Sequence, residues 1–341
     1  MKKKSMFIAF GAAAVMAAGV LAGCGGSSGG TETTAATGTT AETGTDTTTA
    51  ADATTAAGDV TVESIAKSVS ENMKDVKSYA LDGGVNMKYG VSAEGTSMDM
   101  AAKTTIKGES VIDTKNTHIN MDMDMSMMGQ SYNMTNEAYG LVGEDGKYVT
   151  YTKTSNPLTG DNDEKWEKNE TESPIDFESL NNIDIFKQIA EGKVKCELSD
   201  ENVQINGKDV YKITGTIPGE IFQEVFNNMY SSSDTTSDVS NMDFSKASAD
   251  AELYVYKDSL LPARTYMDAK SYMETILKES MAQSTSLEGL EFNIEEFNVD
   301  TTMDKYNEIE KIEIPAEVIK EAEESAAADS AAEVAETSQA S

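Results

Sequence analysis

Histidine and arginine each occur once in these 341 residues, as His118 and Arg264. One imidazole cannot form a His-His pair, and no Cys-His or His-x-x-His spacing is present to hold zinc. One guanidinium excludes the arginine clusters that grip phosphate. Cysteine is scarce too: there are two, Cys24 and Cys196, enough for a single disulfide at most. Basic residues number 27 against 59 acidic ones, a formal charge of -32, which repels phosphate backbones and anionic lipid headgroups. Nucleic-acid binding and flat docking on a bilayer are therefore not expected, and no cofactor is expected. Stability has to come from an apolar core.

What the chain does have begins at its N-terminus. Lys2, Lys3 and Lys4 precede an apolar, small-residue run, Met6 to Val20, of fifteen residues, and a membrane-spanning helix needs about 20. The profile is that of an export signal. It closes on Leu21-Ala22-Gly23-Cys24, followed by Gly25-Gly26-Ser27-Ser28. This segment resembles the bacterial lipobox, which implies that residues 1–23 are removed, that the Cys24 thiol carries a diacylglyceryl group, and that the mature protein is lipid-anchored at the extracytoplasmic face of the cell membrane. Loss of the three lysines takes the formal charge from -32 to -35, so the anchor and not the surface must hold the protein there. With Cys24 acylated, Cys196 has no partner and reads as a small buried hydrophobe.

Residues 24–58 are almost wholly Gly, Ser, Thr, Ala, Glu and Asp. Such a stretch cannot offset its ordering entropy and is expected to be a flexible tether with a mean reach of about 30 Å. A single folded domain is expected over 59–320. Residues 321–341, rich in Ala and Glu, read as a solvated acidic tail.

The folded part opens with a helical stripe, Ile65, Val69, Met73 and Val76. The period then changes to two. Tyr79, Leu81, Val85, Met87, Tyr89 and Val91 alternate with polar residues, as do Met98, Met100, Ala102, Thr104 and Ile106, and then Ile119, Met121, Met123, Met125 and Met127. Turns at Gly129 and at Glu144-Asp145-Gly146 lead through Tyr132 and Met134 to Tyr148 and onward, so Tyr79 to Lys153 predicts an antiparallel meander with one apolar face. A helix is expected between Ile175 and Glu191, stopped by Gly192. Strands are expected at Val194 to Leu198 and on both sides of Asn206-Gly207, a strong hairpin signal. Pro218 marks a helix start, with Ile221, Phe222, Val225, Phe226 and Met229 as its apolar stripe. Strands at Ala251 to Tyr256 and Ala263 to Asp268, a helix through Tyr272 and Met281, and two alternations, Phe292 with Ile294 and Phe297 with Val299, complete the domain. No βαβ rhythm appears, so the class is α+β with an antiparallel sheet.

Met121-Asp-Met-Asp-Met-Ser-Met-Met128 invites copper(I), since thioethers are soft ligands. Along one strand, however, same-face residues lie nearly 7 Å apart, which does not gather sulfurs on one ion. The methionines read instead as a deformable apolar lining. Asp161-Asn162-Asp163 opens like a calcium loop, but Trp166 stands where an EF-hand requires glycine. His118 lies out of phase with the methionines and reads as a surface imidazole.

Taken together, the lipobox at Cys24, the helix before Tyr79, the meander to Lys153, the run Asn206-Gly-Lys-Asp-Val-Tyr-Lys-Ile213 leading to Pro218, and the close Tyr306-Asn-Glu-Ile-Glu to Ile314-Pro315 resemble the LolA/LolB/LppX-like lipoprotein superfamily. The resemblance implies a curved, unclosed antiparallel half-barrel with helices packed on its concave face, and a non-enzymatic binder or carrier of a lipid or other hydrophobic molecule. The cavity would be lined by Met87, Met98, Met100, Met121, Met123, Met125, Met134, Ile221, Phe222, Val225, Phe226 and Met229. Proteins of this shape also serve as envelope sensors acting through a protein partner, which is the alternative. A solute-binding lipoprotein of an importer would need two α/β lobes, against the strand-rich pattern.

Overall fold

The computed structural model describes residues 60–93, 96–127, 129–143, 146–155, 157, 165–171, 185–221, 243–283 and 290–339. Helix α1 (Val62–Asn72) starts at Thr61, whose hydroxyl accepts the Ser64 amide at 3.2 Å while the Ser64 hydroxyl accepts the Thr61 amide at 3.0 Å. This reciprocal cap satisfies two of the free donors at a helix start. The α1 stripe Val62, Ile65, Ala66 and Val69 is buried, and a single 3-10 turn, Met73–Asp75, leads into the sheet.

Strands β1 (Ser78–Ala93), β2 (Thr96–Val111), β3 (Asn116–Met127), β4 (Gln130–Val142), β5 (Tyr148–Ser155) and β6 (Trp166–Thr171) form the first meander. Helix α2 (Ile185–Ala190) and the short strands β7 (Cys196–Leu198) and β8 (Val203–Ile205) come next, then β9 (Lys208–Pro218), β10 (Ser248–Tyr256), β11 (Pro262–Asp268), α3 (Lys270–Gln283), β12 (Leu290–Asp304) and α4 (Ala316–Gln339). All twelve strands join one antiparallel sheet in the order β6-β5-β4-β3-β2-β1-β12-β11-β10-β9-β7, with β8 also on β9. The path ends at β6 and β7 without closing, as an unclosed half-barrel does. Asn206 (φ 52°) and Gly207 (φ 76°) make the tight β8–β9 turn, both in the left-handed region that a type I′ turn demands.

Register explains one feature of the pattern that alternation alone leaves open. Phe292 and Ile294 are even-numbered, Phe297 and Val299 odd, yet they belong to one strand. The β1–β12 pairing slips between Lys88 and Tyr89, so that Lys88 faces Glu296 and Tyr89 faces Ile294. Glu295 is the extra residue of a bulge, and the buried phase switches parity across it.

Helices α1, α2 and α3 cover one face of the sheet. Val69, Phe186, Ile189, Tyr272 and Met273 join Val85, Ile213, Leu253, Val255, Met267, Ile294, Phe297 and Val299 in the main core, all at 6% exposure or less. The opposite face carries two smaller clusters. Over β4–β6, Tyr139, Val149, Tyr151 and Trp166 are capped by Val318 and Ala322 of α4, with Ile312, Ile314 and Ile319 at the margin. The docked part of α4 thus reaches at least to Ala322, which has no exposed surface. Near β8, Val210, Tyr254, Tyr256 and Ala263 pack with Tyr306. Segment 306–309 is pinned to the start of β1: the Asn307 amide donates to the Ser78 carbonyl at 2.8 Å, and the Ile309 amide to the Ser78 hydroxyl at 3.1 Å.

Candidate functional site

Seven of the singled-out residues, Met87, Met98, Met100, Met121, Met123, Met125 and Met134, fall on the same side of the sheet as the helices. The register brings them together. Met123 pairs directly with Met134, Met100 with Met127, Met98 with Val91, and Met87 with Ala102. Side chains opposite one another on adjacent strands sit about 5 Å apart at Cβ, so β1 to β4 present a continuous patch of thioethers. Met127 completes it as an eighth member.

The patch is graded in depth. Met87, Met100 and Met125 are buried at 8%, 6% and 6% exposure, whereas Met98, Met121, Met123, Met127 and Met134 are half-buried. The other half of the same face, over β9 to β12, is mostly closed by helices into a core, with Tyr211 and Phe292 left half-buried. Ile221 is half-buried against that core. Phe222, Val225, Phe226 and Met229 lie outside the described residues.

Charge is absent from the patch. The charged residues of β1 to β4 are Asp82, Lys88, Asp99, Lys103, Lys107, Glu109, Asp122, Asp124 and Glu137, and the pairing register sets every one on the opposite side. An uncharged, polarizable, partly open surface can hold hydrocarbon by dispersion and water release.

The opposite face is the polar one, and open grooves run along it. One of about 510 Å³ is bordered by Asn86, Lys88, Lys103, Asp124, Asn133 and Glu296, and one of about 960 Å³ by Lys195, Glu197, Thr216, Asp250, Glu252 and Tyr266. Several wall residues are paired with one another: Lys88 bridges to Glu296, Asn133 donates to Asp124 at 2.9 Å, and Thr216 donates to Asp250 at 2.7 Å.

Arg264 is bound to Asp300 through two hydrogen bonds, 2.7 and 2.6 Å, with its guanidinium 5.4 Å from the Tyr254 ring centre and 6.0 Å from that of Tyr266. A guanidinium so held is a fixture of the sheet and not a ligand-binding group. His118 likewise has a structural setting. Its ring stacks on Tyr139 at 4.1 Å and its Nε2 lies 3.0 Å from Glu137. Cys196 is half-buried on β7, far along the sheet from the methionines, and burial pushes its thiol up to about 11. Among the described residues no group of three or more His, Cys, Asp or Glu side chains could hold a metal ion.

Among solved structures the chain is similar to LprF from Mycobacterium bovis, at 12% identity and a TM-score of 0.39, over 74% of this chain and 95% of that one. It is also similar to a DUF1329 family protein from Desulfovibrio piger, at 12% identity and a TM-score of 0.22, over 72% and 92%. A third likeness is to a β-barrel-like protein of the domain of unknown function DUF1849 from Brucella abortus, at 9% identity and a TM-score of 0.22, over 67% and 98%. No curated protein matches the chain. Residues 61–323, from the cap of α1 to the docked part of α4, match a family of unknown function, DUF6612, and the chain belongs to that family.

Proposed function

We propose that this protein is a lipid-anchored, extracytoplasmic binder or carrier of a lipid or other hydrophobic molecule, held on the methionine-lined face of β1 to β4, and that it catalyses no reaction. The observation that carries this reading is a contrast within one sheet face. Over β9 to β12 most apolar residues are sealed, with Tyr211 and Phe292 half-buried, while over β2 to β4 five methionines remain half-exposed on a surface without one charged side chain. Each methylene removed from water there contributes about 0.8 kcal/mol, so ten of them would supply about 8 kcal/mol without any polar contact.

Binding and folding should separate by mutation. Replacing Met123 by Asn is expected to weaken a fluorescent fatty acyl probe at least about tenfold, with a urea midpoint shift worth less than about 2 kcal/mol, because a half-buried site tolerates a hydrated amide until a ligand covers it. Val299, 3% exposed in the helix-covered half, is the control: Val299→Asn should cost more than about 3 kcal/mol, since its amide has no water to turn to. Equal collapse in both variants would make the methionine patch ordinary core. A wild-type protein that binds no probe would shift the reading to an envelope sensor working through a protein partner.

Anchoring rests on the lipobox. Among the described residues no helix is long and apolar enough to cross a membrane. Two acyl chains give stable attachment where one does not, so Cys24→Ala is expected to turn an exported, membrane-sedimenting protein into one recovered wholly in the soluble fraction. Retention of the variant on membranes at high salt would rule the anchor out.

A further inference from the structure

The methionine patch has a second chemical property besides its apolarity. Its eight sulfurs, on Met87, Met98, Met100, Met121, Met123, Met125, Met127 and Met134, are readily oxidised, and five of them are half-exposed. We infer that the half-exposed methionines of β2 to β4 are a modification site for hydrogen peroxide, and that their conversion to sulfoxides closes this face to hydrophobic ligands. This rests on the binding role proposed above and adds its regulation.

The step balances simply. One thioether sulfur takes one oxygen atom from one molecule of peroxide; the O–O bond breaks, an S=O bond forms, the sulfur is oxidised by two electrons, and the peroxide is reduced to water. No co-reactant is needed.

A sulfoxide oxygen is a strong acceptor, and the patch has few donors to give it. The Thr104 hydroxyl, in register beside Met123, is buried at 5% exposure, the Tyr132 hydroxyl donates to Gln130, and the Asn136 amide, opposite Met121, donates to Thr154 at 2.8 Å. With the face open, water solvates the sulfoxide and the fold is kept. With a hydrocarbon ligand in place, the same oxygen would be buried unpaired, so the ligand is excluded. Because Met123 and Met134 are direct cross-strand neighbours, as are Met100 and Met127, one oxidised sulfur spoils the surface for its neighbour as well. The competing thiol is a poor target. Cys196 sits at the far end of the sheet with its ionisation suppressed by burial, and the thiolate is the reactive form.

The test uses the whole mature protein and a fluorescent fatty acyl probe. After graded hydrogen peroxide, peptide mass spectrometry should find sulfoxide at Met98, Met121, Met123, Met127 and Met134 before Met87, Met100 or Met125, while probe affinity falls at least tenfold and the urea midpoint is kept. Treatment with both stereospecific methionine sulfoxide reductases should restore the affinity. In the variant M98L/M121L/M123L/M127L/M134L, affinity after peroxide divided by its own affinity before should change less than twofold. Three outcomes overturn the inference: oxidised protein that binds as well as untreated protein, loss of binding that the reductases do not reverse, or buried methionines oxidised as fast as exposed ones. If untreated protein binds no probe, the carrier role itself fails and the switch falls with it, and that result is distinct from the other three.

Discussion

Folding stability should drop steeply above about pH 10. Tyr89, Tyr139, Tyr148, Tyr254 and Tyr256 are all buried at 9% exposure or less, and burial raises the ionisation of each hydroxyl above its ordinary range. In Tyr139 and Tyr254 the nearby carboxylates Glu137 and Glu252 add to the effect, while in Tyr148 the Thr117 hydroxyl works against it. An unfolded tyrosine loses its proton near pH 10, whereas the folded ones hold theirs higher, so the unfolded chain gains stability from ionising first. The contribution is therefore complete below about pH 10 and is lost as the pH rises towards the folded values. Tyr89 alone would give a slope of about 1.4 kcal/mol per pH unit in that window, and Tyr148 adds to it in the same direction. Urea midpoints from pH 8 to 11, beside tyrosinate absorbance, check this. Tyrosinates that titrate near pH 10 in the native protein, with no loss of midpoint, would contradict the burial described.

Gly84→Ala should be as damaging as any single methyl group can be in this sheet. A Cβ at that position would lie 2.0 Å from the Thr104 carbonyl oxygen on β2, and one at Gly83 would lie 2.4 Å from the Asp300 carbonyl oxygen on β12. Backbone cannot swing aside as a side chain can, so the central strand must part from a neighbour. The expected cost is about 3 kcal/mol, with amide protection lost first along β1 and β2. Gly108, on β2, is the matched control: its added methyl would meet nothing nearer than 3.8 Å, and Gly108→Ala should stay within about 0.5 kcal/mol. Equal urea midpoints for the two variants would show that β1 and β2 are not so closely apposed.

Strands β1 to β5 were readable because each has a polar side and an apolar side; Asp122 and Asp124 between methionines leave no doubt about the face. Strand β6 was not. Trp166-Glu-Lys-Asn-Glu-Thr171 carries its apolar side in a single tryptophan, and what covers that residue, Val318 and Ala322, comes some 150 residues later in a background of alanine and glutamate. Long-range covering of this kind leaves no local period. The common face of the methionines is implied by parity and the turn at Gly129, but their grading in depth depends on how far α1, α2 and α3 extend over the sheet, which the strands themselves do not encode. The other half of the expected lining, Phe222 to Met229, lies outside the described residues.

The position of β1 bears on how the protein comes into being. Its two neighbours are β2, met within a few residues, and β12, whose partner for Ala80 is Asp304. Two meanders, one from each half of the chain, are thus welded along a single ladder in the middle of the sheet. A chain emerging in order from its N-terminus can assemble β1 to β6 early, yet it must keep the far edge of β1 unpaired until nearly all of the sequence has arrived. That edge is long and, over Val85 to Val91, apolar on one side, the kind of edge that pairs with the wrong strand. Asp82 and Lys88 on its other side, and the Gly83-Gly84 pair between them, interrupt it as a template for strangers. The last ladder to close is then also the slowest, and crowding of half-emerged chains is where this fold is most exposed to misassembly.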